Sequence, residues 1–341
     1  MRPAAPTPVS GSIPTALTRL LGIRYPIVGA PMFLVSTPRL VAAVSEAGGL
    51  GAVPSLNYRK GEELRVALRE IGSLTAAPFA VNLIVNRSNP YREEHAKICL
   101  DEGVPVFVTS LGSPESVIRD AHGNGAKVLC DVVDLAYATK VQDLGADGVV
   151  AVGAGAGGHA GRTIPTVLVP YLKSRLSVPV LAAGGIADGR GMLAMMALGA
   201  DGVYVGTRFI ASEEAEVVDG YKRAVLDSGP EDILYTARPT GTHANFIRTP
   251  YLDKLGTELA WWERALYRSP ATKRWAKALR ILTISRAMRG SAQGGGKAWK
   301  DIWSAGQSVG LIGEVKPAGA IVRDMVAEYE TALGELPRRV P

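Results

Sequence analysis

The stretch GAGAGGHAGR, residues 153–162, holds one imidazole within a run of small residues. An imidazole titrates near neutral pH, with an unperturbed pKa of about 6.5, so His159 can take or give a proton there. The flanking glycines let a substrate approach without side-chain collision. Two further clusters, AAGGIADGRG (182–191) and VGTRF (205–209), offer backbone N–H groups to an anion. Gly184, Gly185 and Gly206 lie at their centres, with the Thr207 hydroxyl as an added donor. Asn82 sits inside the apolar run FAVNLIV (79–85), where an amide needs either a ligand or an internal hydrogen bond. His95 and His122 fall on segments of helical period and read as structural. Cys99 and Cys130 have neither the spacing of a metal site nor the number for a disulfide framework. No metal is expected, and a reducing compartment fits.

These groups need elements to hold them. From Tyr25 onward, short runs of Val, Ile and Leu alternate with longer segments of helical period. The strand candidates are YPIVGAP (25–31), LGAVPS (50–55), FAVNLIV (79–85), VPVFVTSL (104–111), KVLCDVV (127–133), DGVVAVGAG (147–155), PVLAAGG (179–185) and DGVYVGTRF (201–209). They are apolar throughout rather than alternating, as strands buried on both faces are. Eight regular β/α units specify an α/β fold, the (β/α)8 TIM barrel. A doubly wound sheet competes less well, because no reversal point is visible. Barrel sites lie at the C-terminal ends of the strands, and phosphate commonly sits after strands seven and eight. His159, following strand six, then shares a rim with the glycine clusters. The first strand ends on the same rim in GAPM, with Met32 last.

The 341 residues allow one large domain with an appendage. Residues 1–18 read as a loose Pro/Ala/Ser-rich tail without a signal-peptide core, 19–215 as the barrel, 216–299 as a helical substrate or lid subdomain, and 300–341 as a return to the barrel. The net charge of +6 gathers between Lys254 and Lys300, with Trp261, Trp262, Tyr267, Trp275 and Trp299 interleaved. That pattern raises nucleic acid as a partner, but an amphipathic helical region with a solvated basic face accounts for it better. It also suits an anionic cofactor or a CoA-like substrate, and as a surface it reads as a lid, a homodimer contact or both. No apolar run reaches membrane-spanning length, so the expectation is a cytoplasmic protein with no membrane partner.

YPIVGAPM, VSEAGGLGAV, FAVNLIV, AGGHAG, AAGGIADGRGMLAMMALGADGVYVGTRF and IWSAGQSVGLI, in that order, resemble the nitronate monooxygenase family, formerly called 2-nitropropane dioxygenases. The resemblance runs from about residue 17 to residue 330. It implies a TIM barrel with non-covalent FMN. Gly29, Ala30, Pro31 and Met32 would lie along the flavin, and Asn82 would contact its ring. Gly184, Gly185, Gly206 and Thr207 would hold the phosphate. His159 matches the family's active-site histidine, with Gly158 beside it, and SAGQ brings Ser304 and Gln307 to the flavin edge. The implied reaction is oxidation of an alkyl nitronate, a small-molecule substrate, with O2. Close relatives instead use NAD(P)H to reduce the flavin, then act on enoyl or acyl thioesters or quinones. Two positions depart from the pattern. Gly155 stands where the family often has an acidic residue, and Asp131 stands at the end of strand five, among the flavin-facing positions, where some members carry lysine.

Two other classes remain open. The phosphate loops are also similar to those of IMP dehydrogenase-type barrels, but that chemistry needs a loop cysteine, and neither cysteine falls on a loop. A non-catalytic flavin- or nucleotide-binding barrel would differ from an enzyme in tolerating loss of His159.

Overall fold

A computed structural model describes residues 11–239, 242–257 and 302–339. Eight parallel strands close into a barrel: β1 (Ile27–Gly29), β2 (Leu50–Pro54), β3 (Phe79–Ile84), β4 (Val106–Ser110), β5 (Lys127–Val132), β6 (Gly148–Val152), β8 (Val180–Ala183) and β9 (Gly202–Val205). Between β6 and β8 lies the short strand β7 (Gly158–His159), outside the barrel. Closure is made where Val28 pairs with Tyr204 and Gly29 with Val205. The expected strands are all present, each somewhat shorter than its apolar run.

Alternation along each strand sorts side chains between two cores. Val28, Leu50, Ala80, Val106, Val108, Leu129, Val150, Leu181 and Tyr204 fill the barrel interior. Ile27, Val53, Val81, Phe107, Val128 and Val203 face the surrounding helices. Those helices are α2 (Pro38–Glu46), α3 (Gly61–Leu74), α4 (Arg92–Asp101), α5 (Glu115–Gly123), α6 (Leu135–Asp143), α7 (Pro165–Lys173) and α8 (Gly189–Ala197).

The N-terminal boundary needs correction. Residues 16–18 do not belong to a loose tail but open α1 (Ala16–Leu21), whose Thr15 and Thr18 side chains cap each other's backbone N–H. Leu17 and Leu21, one turn apart, plug the bottom of the barrel, and Leu17 is wholly buried.

The region after the barrel also differs from expectation. Short α9 (Thr207–Ile210) and α10 (Asp219–Asp227) are followed not by more helix but by a hairpin, β10 (Ile233–Thr236) and β11 (Ala244–Ile247). The β-branched and aromatic residues of ILYT and ANFI favour strands, and β11 finds a third partner in β7. The helix expected from Pro250 is seen as α11 (Pro250–Leu255). The rest of that expectation, with the basic aromatic stretch to residue 299, lies outside the described residues. The return to the barrel is α12 (Ala318–Arg339), which packs on α8 and α2, and Glu328 accepts a hydrogen bond from the Gly189 N–H.

Candidate active site

The mouth is built by loops at the C-terminal ends of the strands. After β1, the Ala30 N–H bonds the Val205 carbonyl across the closure. Ser36 then folds the loop back, its hydroxyl donating to the Ala30 carbonyl and accepting from the Met32 N–H. This sets Gly29, Ala30, Pro31 and Met32 along one side of the mouth. The Met32 sulfur would lie 3.7 Å from a Cβ placed on Gly206 and the Ala30 Cβ 3.6 Å, so the β1 and β9 loops touch.

After β8, Gly184 and Gly185 both adopt left-handed conformations, with φ of 114° and 74°. A side chain at either position would be strained, and a Cβ on Gly185 would enter open space. Gly184 packs against the loop after β6, near the Ala154 carbonyl and Ala156 N–H. The SAGQ segment reaches the same place. The Gly306 N–H donates to Thr207 Oγ1 at 2.9 Å, and the Gln307 N–H donates to the Gly155 carbonyl at 3.0 Å.

That contact explains one departure. Gly155 has φ of 86°, and a Cβ there would meet Gln307 Oε1 at 3.0 Å, so this chain fills with an amide the space an acidic side chain would need. Ser304 is placed less directly: its carbonyl accepts from the buried Tyr221 hydroxyl at 2.5 Å.

Inside the barrel, Asn82 Nδ2 donates to the Val108 carbonyl at 3.2 Å and to Ser110 Oγ at 2.8 Å. The Ser110 hydroxyl donates in turn to Asp131 Oδ2 at 2.5 Å. The Val108 carbonyl can only accept, so it fixes which way the Asn82 amide points and hence the direction of the whole chain of bonds. Both amide hydrogens of Asn82 are spent, and its Oδ1 remains to accept. At the far end, Asp131 Oδ1 and the Tyr204 hydroxyl are buried without partners among the described residues. Burial, opposed only by the Ser110 bond, pushes the Asp131 pKa up to about 6. Tyr204 is raised by burial and then by the nearby Asp131.

His159 stands on β7, in the loop that follows β6, and is exposed. Its ring has no hydrogen-bond partner among the described residues, and the shielding around it holds its pKa below the ordinary histidine value. Asn245 on β11 pairs with Gly158, and its Nδ2 donates to the Ala156 carbonyl at 2.7 Å.

The other expectations fall elsewhere. His122 Nε2 lies 2.8 Å from Asp147, a surface contact. His95 is fully buried on α4, stacked on Tyr91, with both ring nitrogens unpartnered. Cys99 and Cys130 are buried on α4 and β5, and burial raises both thiols, Cys130 to about 12. Neither is placed as a loop nucleophile. Among the described residues no helix is long and apolar enough to cross a membrane.

Sequence reasoning missed Ser36, Ser110, Tyr204 and Asn245. Ser110 and Tyr204 share inward register with Asn82 and Val28, so counting by twos along their strands would have found them. Nothing local marks Ser36 or Asn245.

Comparison with known proteins agrees with this architecture. FabK from Thermotoga maritima superposes with a TM-score of 0.83 at 35% identity, covering 96% of this chain and 100% of that one. A nitroalkane oxidase from Streptomyces ansochromogenes gives 0.79 at 28% identity, covering 94% and 100%. A probable nitronate monooxygenase of Staphylococcus saprophyticus is 31% identical over 359 residues, 92% of this chain and 97% of that protein. A (3aS,4S,5R,7aS)-5-hydroxy-7a-methyl-1-oxo-octahydro-1H-indene-4-carboxyl-CoA dehydrogenase of Rhodococcus jostii is 35% identical over 242 residues, 71% of this chain and 67% of that protein. The family model for nitronate monooxygenase matches residues 14–328. The chain therefore belongs to the nitronate monooxygenase family, and it is a flavin-dependent oxidoreductase.

Proposed function

We propose that the protein is an FMN-dependent nitronate monooxygenase that oxidises alkyl nitronates with O2, His159 taking the Cα proton when a neutral nitroalkane is offered. One observation carries this reading: an exposed imidazole, without a hydrogen-bond partner among the described residues, shares a rim with the Gly184–Gly185 and Gly206–Thr207 loops.

The residues present fit FMN. The open space at Gly185 is a cradle that any side chain would fill. The backbone of Gly184, Gly185 and Gly206, with the Thr207 hydroxyl, would hold the phosphate. Gly29 to Met32 would lie along the ring, and Gly158, Ser304 and Gln307 would border it. Asn82, with both amide hydrogens spent inside the barrel, would accept from a ring N–H through Oδ1. Asp131 would stand beneath, holding its own proton up to about pH 6. When bound, FMN supplies the electron acceptor and the surface on which O2 reacts.

The chain's own share of the reaction is orientation and proton handling. A depressed pKa keeps His159 neutral, and so basic, at pH 7. After taking the proton, the imidazolium would stabilise the negative charge spread over the nitronate oxygens. A substrate supplied already as the nitronate bypasses that step.

A second reading, an NAD(P)H-dependent reductase of an enoyl or acyl thioester or a quinone, is favoured by the 35% identity to a carboxyl-CoA dehydrogenase. The visible spectrum of the purified protein, recorded before and after anaerobic NADH or NADPH and then nitronate, separates the two. A flavin band that persists with nicotinamide and bleaches with nitronate supports the monooxygenase. Bleaching within seconds by NADH or NADPH supports the reductase. Failure to bind FMN on reconstitution would sink both. A protein that turns over equally well as His159→Ala, with flavin bound, is not using this histidine.

A further inference from the structure

We propose that Asn245 is the positioning residue that sets His159 at the barrel mouth. The inference rests on reading His159 as the proton-transfer group.

β7 is two residues long and follows a loop, Gly153 to Gly157, that has only glycine and alanine side chains with which to anchor itself. It is held from outside. In the strand ladder, Ala244 pairs with His159 and Asn245 with Gly158. The Asn245 side chain takes a second grip, Nδ2 to the Ala156 carbonyl at 2.7 Å, across 89 residues of sequence. Asn245 is 5% exposed, so this bond is made out of water.

Alternation along β11 gives the reason for its direction. Ala244 and Phe246 point into a small core with Leu252, which leaves Asn245 facing the glycine loop. The strand itself is tied down, the Ile247 N–H to the Trp303 carbonyl at 2.8 Å and the Arg248 N–H to the Asp232 carbonyl at 2.7 Å. The other side of the loop is held by the Gln307 N–H on the Gly155 carbonyl. The imidazole thus stands on a segment clamped between two distant parts of the chain, and Asn245 is the side-chain half of one clamp. A leucine there has nearly the same size but no donor and no charge, and it would leave the Ala156 carbonyl without this partner.

The test uses flavin-loaded protein with ring-labelled histidine, followed by NMR titration, with His159→Ala to assign the resonance. In Asn245→Ala and Asn245→Leu the His159 titration should rise toward its ordinary value, as the shielding around the ring is lost. His95, buried on α4, should stay where it is. kcat on a neutral nitroalkane should fall about 10- to 100-fold with KM little changed, because misplacement acts on the reacting geometry. Asn245→Gln, which keeps the donor, should recover part of the loss. A His159 titration and kcat that stay unchanged in both variants overturn the proposal. So does a lower melting temperature without movement of the His159 resonance. Should the alanine variant fail to fold, the leucine variant, close to asparagine in size, decides. If His159→Ala itself turns over at the full rate, the proton-transfer reading falls, while the resonance still decides the positioning.

Discussion

The two ends of the barrel are made of the same strands and behave in opposite ways. At the floor, Leu17 and Leu21 from α1 close over Val28, Leu50, Leu129 and Leu181, every one apolar and buried. At the mouth stand Asn82, Ser110 and Asp131, two sealed polar atoms without partners among the described residues, and a run of left-handed glycines. Leu34 and Leu111, the non-glycine residues with positive φ among those described, are both exposed on mouth loops. Strain and unsatisfied polarity cost stability, and they persist only where the surrounding structure enforces them. The floor supplies that rigidity, so the two ends should respond differently to substitution.

The largest effect belongs to the mouth and concerns rate. His159→Ala should lower turnover of a neutral nitroalkane about 10²- to 10⁴-fold while shifting unfolding by no more than about 0.5 kcal/mol. In the unaltered protein, kcat/KM for that substrate should rise with pH along an acid limb lying below 6.5, because the base form is required and its pKa is depressed. A limb above 6.5 would assign it to another group. Leu17→Ala should do the reverse, costing about 2–5 kcal/mol in denaturant unfolding while the folded fraction turns over normally. Activity lost in step with flavin at that distance would break the contrast between the two ends.

Asp131→Asn should stabilise the protein, by on the order of 1–3 kcal/mol at pH 8. The folded state raises this carboxyl to about 6, so its proton is favoured by folding. The native residue therefore loses stability as pH rises from about 4 through 6, and the advantage of asparagine should vanish below about 4. Thermal melts of both proteins across that range give the answer, and an advantage that grows in acid would reverse the assignment. The smallest effect is expected at Leu34→Gly and Leu111→Gly. Each should gain about 0.5–1 kcal/mol by relieving a left-handed leucine. A loss at Leu34 would mean that the bond from its N–H to Asn57 Oδ1 is set by the side chain it would lose.

The barrel was legible in the sequence because each strand is buried on both faces and each connecting helix carries a 3.6-residue apolar period. His159 and the glycine loops were legible because the strand count alone put them on one rim. Asn82 was flagged as an amide needing a partner, and it has internal ones in Val108 and Ser110 with one oxygen left over. The hairpin of β10 and β11 was not legible. Each strand is four residues long, and β11 is stabilised by β7, some eighty-five residues earlier, a pairing that no local window contains. Asn245 escaped for the same reason. Leu17 escaped because Pro and Ser nearby gave the first residues the look of a tail, while the cap at Thr15 acts over one turn only.

The bond from the Gly306 N–H to Thr207 Oγ1 has a consequence for synthesis. A nascent chain has delivered all eight barrel strands once Val205 has emerged, and the barrel can then begin to close. The glycine loop beside His159 still lacks both clamps at that moment, because Asn245 and the 306–307 backbone have not yet emerged. The barrel can therefore close before the site is complete. A chain halted between these two points would carry a formed scaffold with its histidine unplaced, and any cofactor taken up early would wait on residues still inside the ribosome.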